Sequence, residues 1–282
     1  MTKKAYPVVA IVLGAGAWGM IWYPLRIVAA GGLSGVWLAV VMYAGAAAAG
    51  LVLCRGGACA GVSGRVWLAL AVLGGVTNIG FVVAVLHDNV LRVTLLFYLS
   101  PVWSVLGARV FLGERLPAAA GAGIAIALIG VGMLLWRPSS PALTVFDALA
   151  LVSGAAFAGA NVVLRAQPSV PLAAKLLATF LGVVGVGLAA LLVSAHGLPH
   201  PRAGIVLAAL IAGGLGILAI TLLVQYGVTA LPVRQSSVLL LAEVVTAAFS
   251  QHLLLHGVLT ARTLAGALAV ASGATLVAVC EA

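Results

Sequence analysis

Ten apolar runs follow one another along the chain, each long enough to cross a bilayer, and no connection between them is long enough to hold a soluble domain. In the first half they lie near Tyr6 to Val28, Val36 to Leu53, Val66 to Leu86, Val93 to Leu112 and Ala118 to Trp136. In the second half they lie near Ala148 to Leu164, Leu176 to Ala195, Ala203 to Tyr226, Val238 to Leu255 and Leu264 to Val279. A span uses about 20 apolar residues, so the 282 residues are consumed by these runs and their loops. Only 7% of the residues are charged, against roughly 25% in an ordinary soluble domain, and no water-facing surface can be built from so few. No run alternates polar and apolar residues with a period of two, which argues against a β-barrel. Backbone groups in lipid must be satisfied within their own segment. The expected fold class is therefore all-α integral membrane, with ten transmembrane helices.

Met1-Thr2-Lys3-Lys4 before an apolar run imitates a secretory signal. That run continues past the usual length to Val28 and more spans follow, so it reads as a retained first helix. Fourteen Lys and Arg against five Asp and Glu give a net charge of +9. With a cytoplasmic N-terminus, the inside set is Lys3, Lys4, Arg55, Arg65, Arg109, Arg115, Arg165, Lys175 and Arg234, and the outside set is Arg26, Arg92, Arg137, Arg202 and Arg262. This imbalance favours both termini inside a bacterial-type inner membrane. No basic run with interleaved aromatics is present, so nucleic acid is not an expected partner. The expected partners are the lipid bilayer and a small-molecule substrate, for a chain acting as a monomer. Cys54, Cys59 and Cys280 are an odd set without zinc spacing. They argue against a disulfide framework, and Cys54 and Cys59 are expected as reduced thiols on a cytoplasmic loop.

Ten spans divide into two sets of five, residues 1–137 and 138–282. An odd number per set makes the second set enter with opposite orientation, the inverted-repeat plan of many secondary transporters. An offset of 143 places Gly123 and Gly130 of the fifth run on Gly266 and Gly273 of the tenth, and Pro101 on Val244. Runs such as Gly182-Val183-Val184-Gly185 offer small faces on which helices approach closely in lipid. Gly213-Gly214-Leu215-Gly216 marks a candidate flexible point in the eighth run.

The first run contains Leu13-Gly14-Ala15-Gly16-Ala17-Trp18-Gly19, the fourth Leu99-Ser100-Pro101-Val102, followed by Leu112-Gly113-Glu114-Arg115-Leu116 and then Gly123 and Gly130. In this order they resemble the repeat of the drug/metabolite transporter superfamily, in its EamA-type branch. The ninth run keeps the acidic residue in Leu241-Ala242-Glu243-Val244 but has Val where that family often has Pro, and His256-Gly257 stands where its Gly-Glu would be. The resemblance implies two inverted five-helix repeats around a central cavity, and transport of small metabolites without ATP or a cofactor. Tyr98-Leu99-Ser100-Pro101 is most similar to bacterial amino-acid exporters, the aromatic ones included.

The residues alone do not point to an enzyme. Neither Gly-x-Ser-x-Gly, a nucleotide-binding Gly-x4-Gly-Lys-Ser/Thr loop nor His-Glu-x-x-His occurs. His252 and His256 share a helix face without a nearby acid and read as interfacial. Polar groups inside a membrane are costly and default to functional candidates. Glu243 is the carboxylate placed clearly within a run; it can hold a substrate ammonium, take up a proton, or serve as structural pairing with Ser236, Ser237 or an arginine. Asn78 and Asn161 offer amides that orient a zwitterion or bond between helices. Trp18 and Tyr98 lie deeper than the belt positions Trp37, Trp67 and Trp136. Pro24 and Pro101 are expected to kink their helices and free carbonyls. The expected cavity wall is Trp18, Asn78, Tyr98, Ser100, Asn161 and Glu243, in a carrier that exports amino acids or related metabolites by alternating access. A multidrug or nucleotide-sugar carrier, and more remotely a membrane enzyme or structural subunit, stand as alternatives.

Overall fold

The computed structural model describes residues 5–55, 59, 61–112, 118–135, 144–167, 169–194, 199–230, 239–240, 242–255 and 260–280. The Gly113-Glu114-Arg115-Leu116 motif, Trp136, Arg234, Ser236, Ser237, His256 and Gly257 lie outside these residues, as does the side chain of His252. Helix accounts for 89% of the structure, and no strand occurs among the described residues. In chain order the helices are α1 (Ala5–Met20), α2 (Trp22–Ala30), α3 (Gly35–Leu53), α4 (Gly64–His87), α5 (Val90–Phe97), α6 (Ser100–Leu112) and α7 (Ala118–Leu135). They continue as α8 (Val145–Ala166), α9 (Leu172–Ser194), α10 (Ala203–Ile211), α11 (Leu218–Ala230), α12 (Ala242–Leu255) and α13 (Ala261–Cys280). Six stretches are long and apolar enough to cross a membrane: Tyr6–Ala30, Gly35–Leu53, Gly64–His87, Val145–Val163, Leu172–Val193 and Ala203–Gly227. This is an all-helical, membrane-type chain.

Side chains that compete for backbone hydrogens set several helix starts. Ser63 Oγ accepts from Val66 N at 3.4 Å, and Asn89 Oδ1 accepts from Arg92 N at 3.0 Å. Thr144 and Asp147 cap α8 reciprocally: Thr144 Oγ1 accepts from Asp147 N at 3.1 Å while Asp147 Oδ2 accepts from Thr144 N at 2.8 Å.

Three long rods are interrupted near mid-length. The break between α1 and α2 at Ile21 lies three residues before Pro24, and that between α5 and α6 at Tyr98–Leu99 lies just before Pro101. Proline has no N–H to return to the carbonyl four residues earlier, so Met20 and Phe97 lose their helical donors. The freed Phe97 carbonyl is met by α8, where Gly154 passes so closely that a Cβ there would stand 2.7 Å from the oxygen. The third interruption is a π-helical turn, Ala212–Ile217, between α10 and α11. It falls on the glycine cluster expected to be a flexible point.

Packing is reciprocal between the two halves. The helix α1 packs on α11 and α12, while α8 packs on α4 and on α5 and α6. Likewise α3 packs on α10 and the π turn, α9 packs on α4, and α7 lies along α13. The closest crossings need glycine. A Cβ on Gly182 would strike the Ala71 carbonyl oxygen, and one on Gly45 would strike that of Leu210. A Cβ on Gly130 would lie 2.8 Å from Gly266 O, and one on Gly273 would lie 2.5 Å from Gly123 O. All four glycines aligned by the offset thus lie at the α7–α13 crossing, with Gly130 against Gly266 and Gly273 against Gly123 rather than each against its aligned counterpart.

Cys54 and Cys59, expected as separate thiols, are joined as a disulfide with Cα atoms 5.3 Å apart. That separation lies within the range a disulfide requires; a five-residue spacing alone does not reveal it.

Candidate functional site

A narrow internal slot of about 10 Å³, room for a water-sized group, lies where the interrupted rods meet α3 and α4. Trp18, Ile21 and Leu25 line it from one side, Ala39, Met42 and Tyr43 from α3, Asn78, Phe81 and Val82 from α4, and Ile217 from the end of the π turn. Its walls are apolar or aromatic apart from one amide and one phenol, the composition of a small-ligand pocket. The Tyr43 hydroxyl donates to Asn78 Oδ1, and Asn78 Nδ2 donates to Gly74 O at 2.8 Å. One amide hydrogen of Asn78 is left uncommitted by these bonds. Tyr43 was not picked out from the sequence, although a tyrosine in the middle of an apolar helix needs a hydroxyl partner.

A chain of aromatic rings runs from the slot to the fourth rod. Phe81 and Phe97 meet edge to face with centroids 5.2 Å apart, and Phe97 meets Tyr98 at 6.2 Å. Buried Tyr98 sits at the break between α5 and α6, and its Oη lies 2.8 Å from both Glu243 Oε2 and Leu240 O. Glu243 lies in the first turn of α12 and meets no cation among the described residues. Gly19 lies directly against this turn, for a Cβ there would strike Glu243 O and Thr246 Oγ1. Trp18, Asn78, Tyr98 and Glu243 therefore belong to one region around α1, and buried Ser100 heads the helix that follows Tyr98. Asn161 is half-buried near the far end of α8 and does not line the slot.

α2 and α12 are fastened by a buried hydrogen bond, Trp22 Nε1 donating to Ser250 Oγ at 3.0 Å. Ser250→Ala is expected to cost about 1–3 kcal/mol, because it strands a buried N–H. Thermal unfolding of the detergent-purified protein measures it, and an unchanged midpoint contradicts the assignment.

A polar cluster closes one end of the bundle. Arg92 grips Asp147 as a fork, Nε to Oδ1 at 2.5 Å and Nη2 to Oδ2 at 2.7 Å, with the two side chains 6% and 0% exposed. Thr144 Oγ1 donates to Asp88 Oδ2 at 3.2 Å. Arg26 donates through Nη2 to the carbonyls of Val85 (3.3 Å) and Asp88 (3.2 Å), and lies over the Trp22 ring with Cζ 5.2 Å from its centroid. His87 stacks on Phe146 at 5.2 Å. One expectation is corrected here. Glu243 is not the sole carboxylate placed within a helix, since Asp147 is wholly buried in the first turn of α8. Arg26 and Arg92 are each engaged by α4, α8 or the turn after α4. Thr144-x-x-Asp147 was the available signal, a capping pattern at the edge of an apolar run.

No group of three or more potential metal ligands occurs among the described residues. No family model and no curated protein matches the chain. A solved protein crystal structure superposes with a TM-score of 0.60 at 18% identity, covering 95% of this chain and 96% of the other. At that identity the likeness is one of fold, and it extends over nearly the full length of both chains.

Proposed function

We propose that the chain is a ten-span secondary transporter of the drug/metabolite transporter type, built as two inverted five-helix repeats, that exports neutral amino acids by alternating access across a bacterial inner membrane. The observation that carries this reading is the slot. It lies at the centre of the bundle, it is walled by Trp18, Tyr43 and Phe81, and it sits beside the Tyr98–Glu243 pair where three rods are broken. Irregular backbone at membrane depth is tolerated where it lines a cavity, and carriers of this plan bind at the interface of their repeats. The reciprocal packing of the two halves and the paired glycines of α7 and α13 support the repeat.

A zwitterionic substrate finds matching chemistry here. Glu243 accepts an ammonium, the free amide hydrogen of Asn78 donates to a carboxylate, and the aromatic walls take an apolar or aromatic side chain. The slot as it stands admits only water-sized groups, which fits a closed state. A nucleotide-sugar carrier needs cations around the diphosphate, and no Lys or Arg lines the slot.

Counterflow of radiolabelled phenylalanine and tryptophan into proteoliposomes tests the reading, with a panel of other amino acids beside them. Trp18→Ala and Tyr98→Ala are each expected to lower that flux by at least about tenfold, the loss typical of truncating a buried aromatic contact. No flux of any panel member by the purified wild type would overturn the transport assignment.

A further inference from the structure

The Tyr98 hydroxyl has two partners and one hydrogen. Its Oη lies 2.8 Å from Leu240 O and 2.8 Å from Glu243 Oε2. A peptide carbonyl only accepts, and an ionised carboxylate only accepts. If Glu243 were ionised, one hydroxyl hydrogen would have to serve two acceptors at once. If Glu243 carries a proton, both contacts become ordinary hydrogen bonds: Glu243 Oε2–H donates to Tyr98 Oη, and Tyr98 Oη–H donates to Leu240 O.

From this arrangement we infer that Glu243 is a proton-carrying site, and that its proton is exchanged for the substrate ammonium during transport. The step balances simply. The proton leaves Glu243 Oε2 for water, the Tyr98 hydrogen turns from Leu240 O to the new carboxylate, and the substrate ammonium pairs with that carboxylate. The Leu240 carbonyl then loses its donor. Leu240 lies three residues before Glu243, at the entrance to α12, so the change in protonation is felt by the backbone of this helix start. The exchange step rests on the transport reading given above; the protonation site does not.

Among the described residues, the surroundings supply no competing charge. α1 presents Gly16 and Gly19 to this turn, neither of which titrates. α5 contributes Tyr98 at its end and Arg92, which is held by Asp147 at the far end of that helix. Thr246 on α12 donates to the Ala242 and Glu243 carbonyls, not to the carboxyl group.

Infrared difference spectra of the purified protein, taken between acid and alkaline buffer, test the site without any substrate. The sequence has only five carboxyl side chains, Asp88, Glu114, Asp147, Glu243 and Glu281, which keeps the assignment tractable. The expected result is a carboxylic-acid C=O band that disappears on alkalinisation, is absent from Glu243→Gln, and moves to higher frequency in Tyr98→Phe, where the acceptor is gone. Tyr98→Phe keeps the ring and guards against a variant that merely fails to fold. The absence from wild type of any acid band that Glu243→Gln removes would overturn the site. For the exchange, phenylalanine added to weakly buffered protein with a pH dye is expected to release protons from wild type, a signal lost in Glu243→Gln. No release by a wild type that still performs phenylalanine counterflow overturns the exchange and leaves the transport reading standing. An acid band without any counterflow supports the protonation site and overturns transport together with the exchange.

Discussion

Asp147→Asn is expected to destabilise the protein by about 3–5 kcal/mol, the cost of leaving one member of a buried ion pair without its counter-charge. Asparagine keeps the shape and can still cap α8, so the loss isolates the charge. What remains is Arg92, 6% exposed, with its fork aimed at an amide that returns no charge. Replacing both residues by apolar ones of similar volume, Arg92→Met with Asp147→Leu, is expected to recover most of that stability, because the desolvation of two ions is then avoided as well. Thermal or denaturant unfolding of the detergent-purified protein, followed by tryptophan fluorescence, measures both. An Asp147→Asn variant as stable as wild type would show that the pair contributes nothing. The double variant also probes function: the pair ties α5 to α8, elements of opposite halves, at one end of the bundle. In a carrier that opens by separating its halves, removing this tie shifts the balance toward the state open at that end.

The parts of the structure legible in the sequence are those governed by local rules. A proline has no backbone hydrogen wherever it stands, so Pro24 and Pro101 pointed to the two places where helices are interrupted. Apolar run length is likewise local, which is why the helices follow the runs closely from Tyr6 to Ala30 and from Leu172 to Ser194. The offset of 143 pairs Gly123 with Gly266 and Gly130 with Gly273, whereas the close approaches are Gly130 to Gly266 and Gly273 to Gly123, so the offset located the two glycine-bearing helices but not which glycines meet.

The interactions that escaped are non-local and involve residues individually unremarkable. Trp22 and Ser250 are 228 positions apart, Arg92 and Asp147 are 55 apart, and Tyr43 and Asn78 are 35 apart. A serine on an apolar helix bonds its own backbone by default, so nothing in the sequence marks Ser250 as the acceptor for an indole. Asp147 was overlooked for a different reason: it stands at the edge of a run, where a carboxylate is ordinarily taken to be in water. Its burial depends on an arginine delivered by α5, whose position depends in turn on Asn89 capping that helix. Of the six expected wall residues, Trp18 and Asn78 line the slot, while Tyr98, Ser100, Asn161 and Glu243 do not; side-chain type carries no information about that.

Gly182→Val and Gly45→Val are expected to cost more than about 3 kcal/mol each, above the usual range for overpacking. The obstacle at Gly182 is the Ala71 carbonyl and at Gly45 the Leu210 carbonyl, and backbone atoms cannot rotate aside as a side chain tip can. Relief requires α9 to move away from α4, or α3 from the α10 end of the π turn, and either shift opens the wall that holds Tyr43 and Asn78. Gly185→Ala is the control, since nothing lies within 4 Å of a Cβ at that position; its effect is expected to stay within about 1 kcal/mol, the scale of helix propensity. Unfolding midpoints of the three variants decide between two views of the glycines. If composition alone explains them, as small residues common in membrane helices, the three substitutions behave alike. If the halves are true structural counterparts, Gly45 and Gly182 respond equally while Gly185 stays silent, because the same crossing is then built twice from unrelated stretches of sequence.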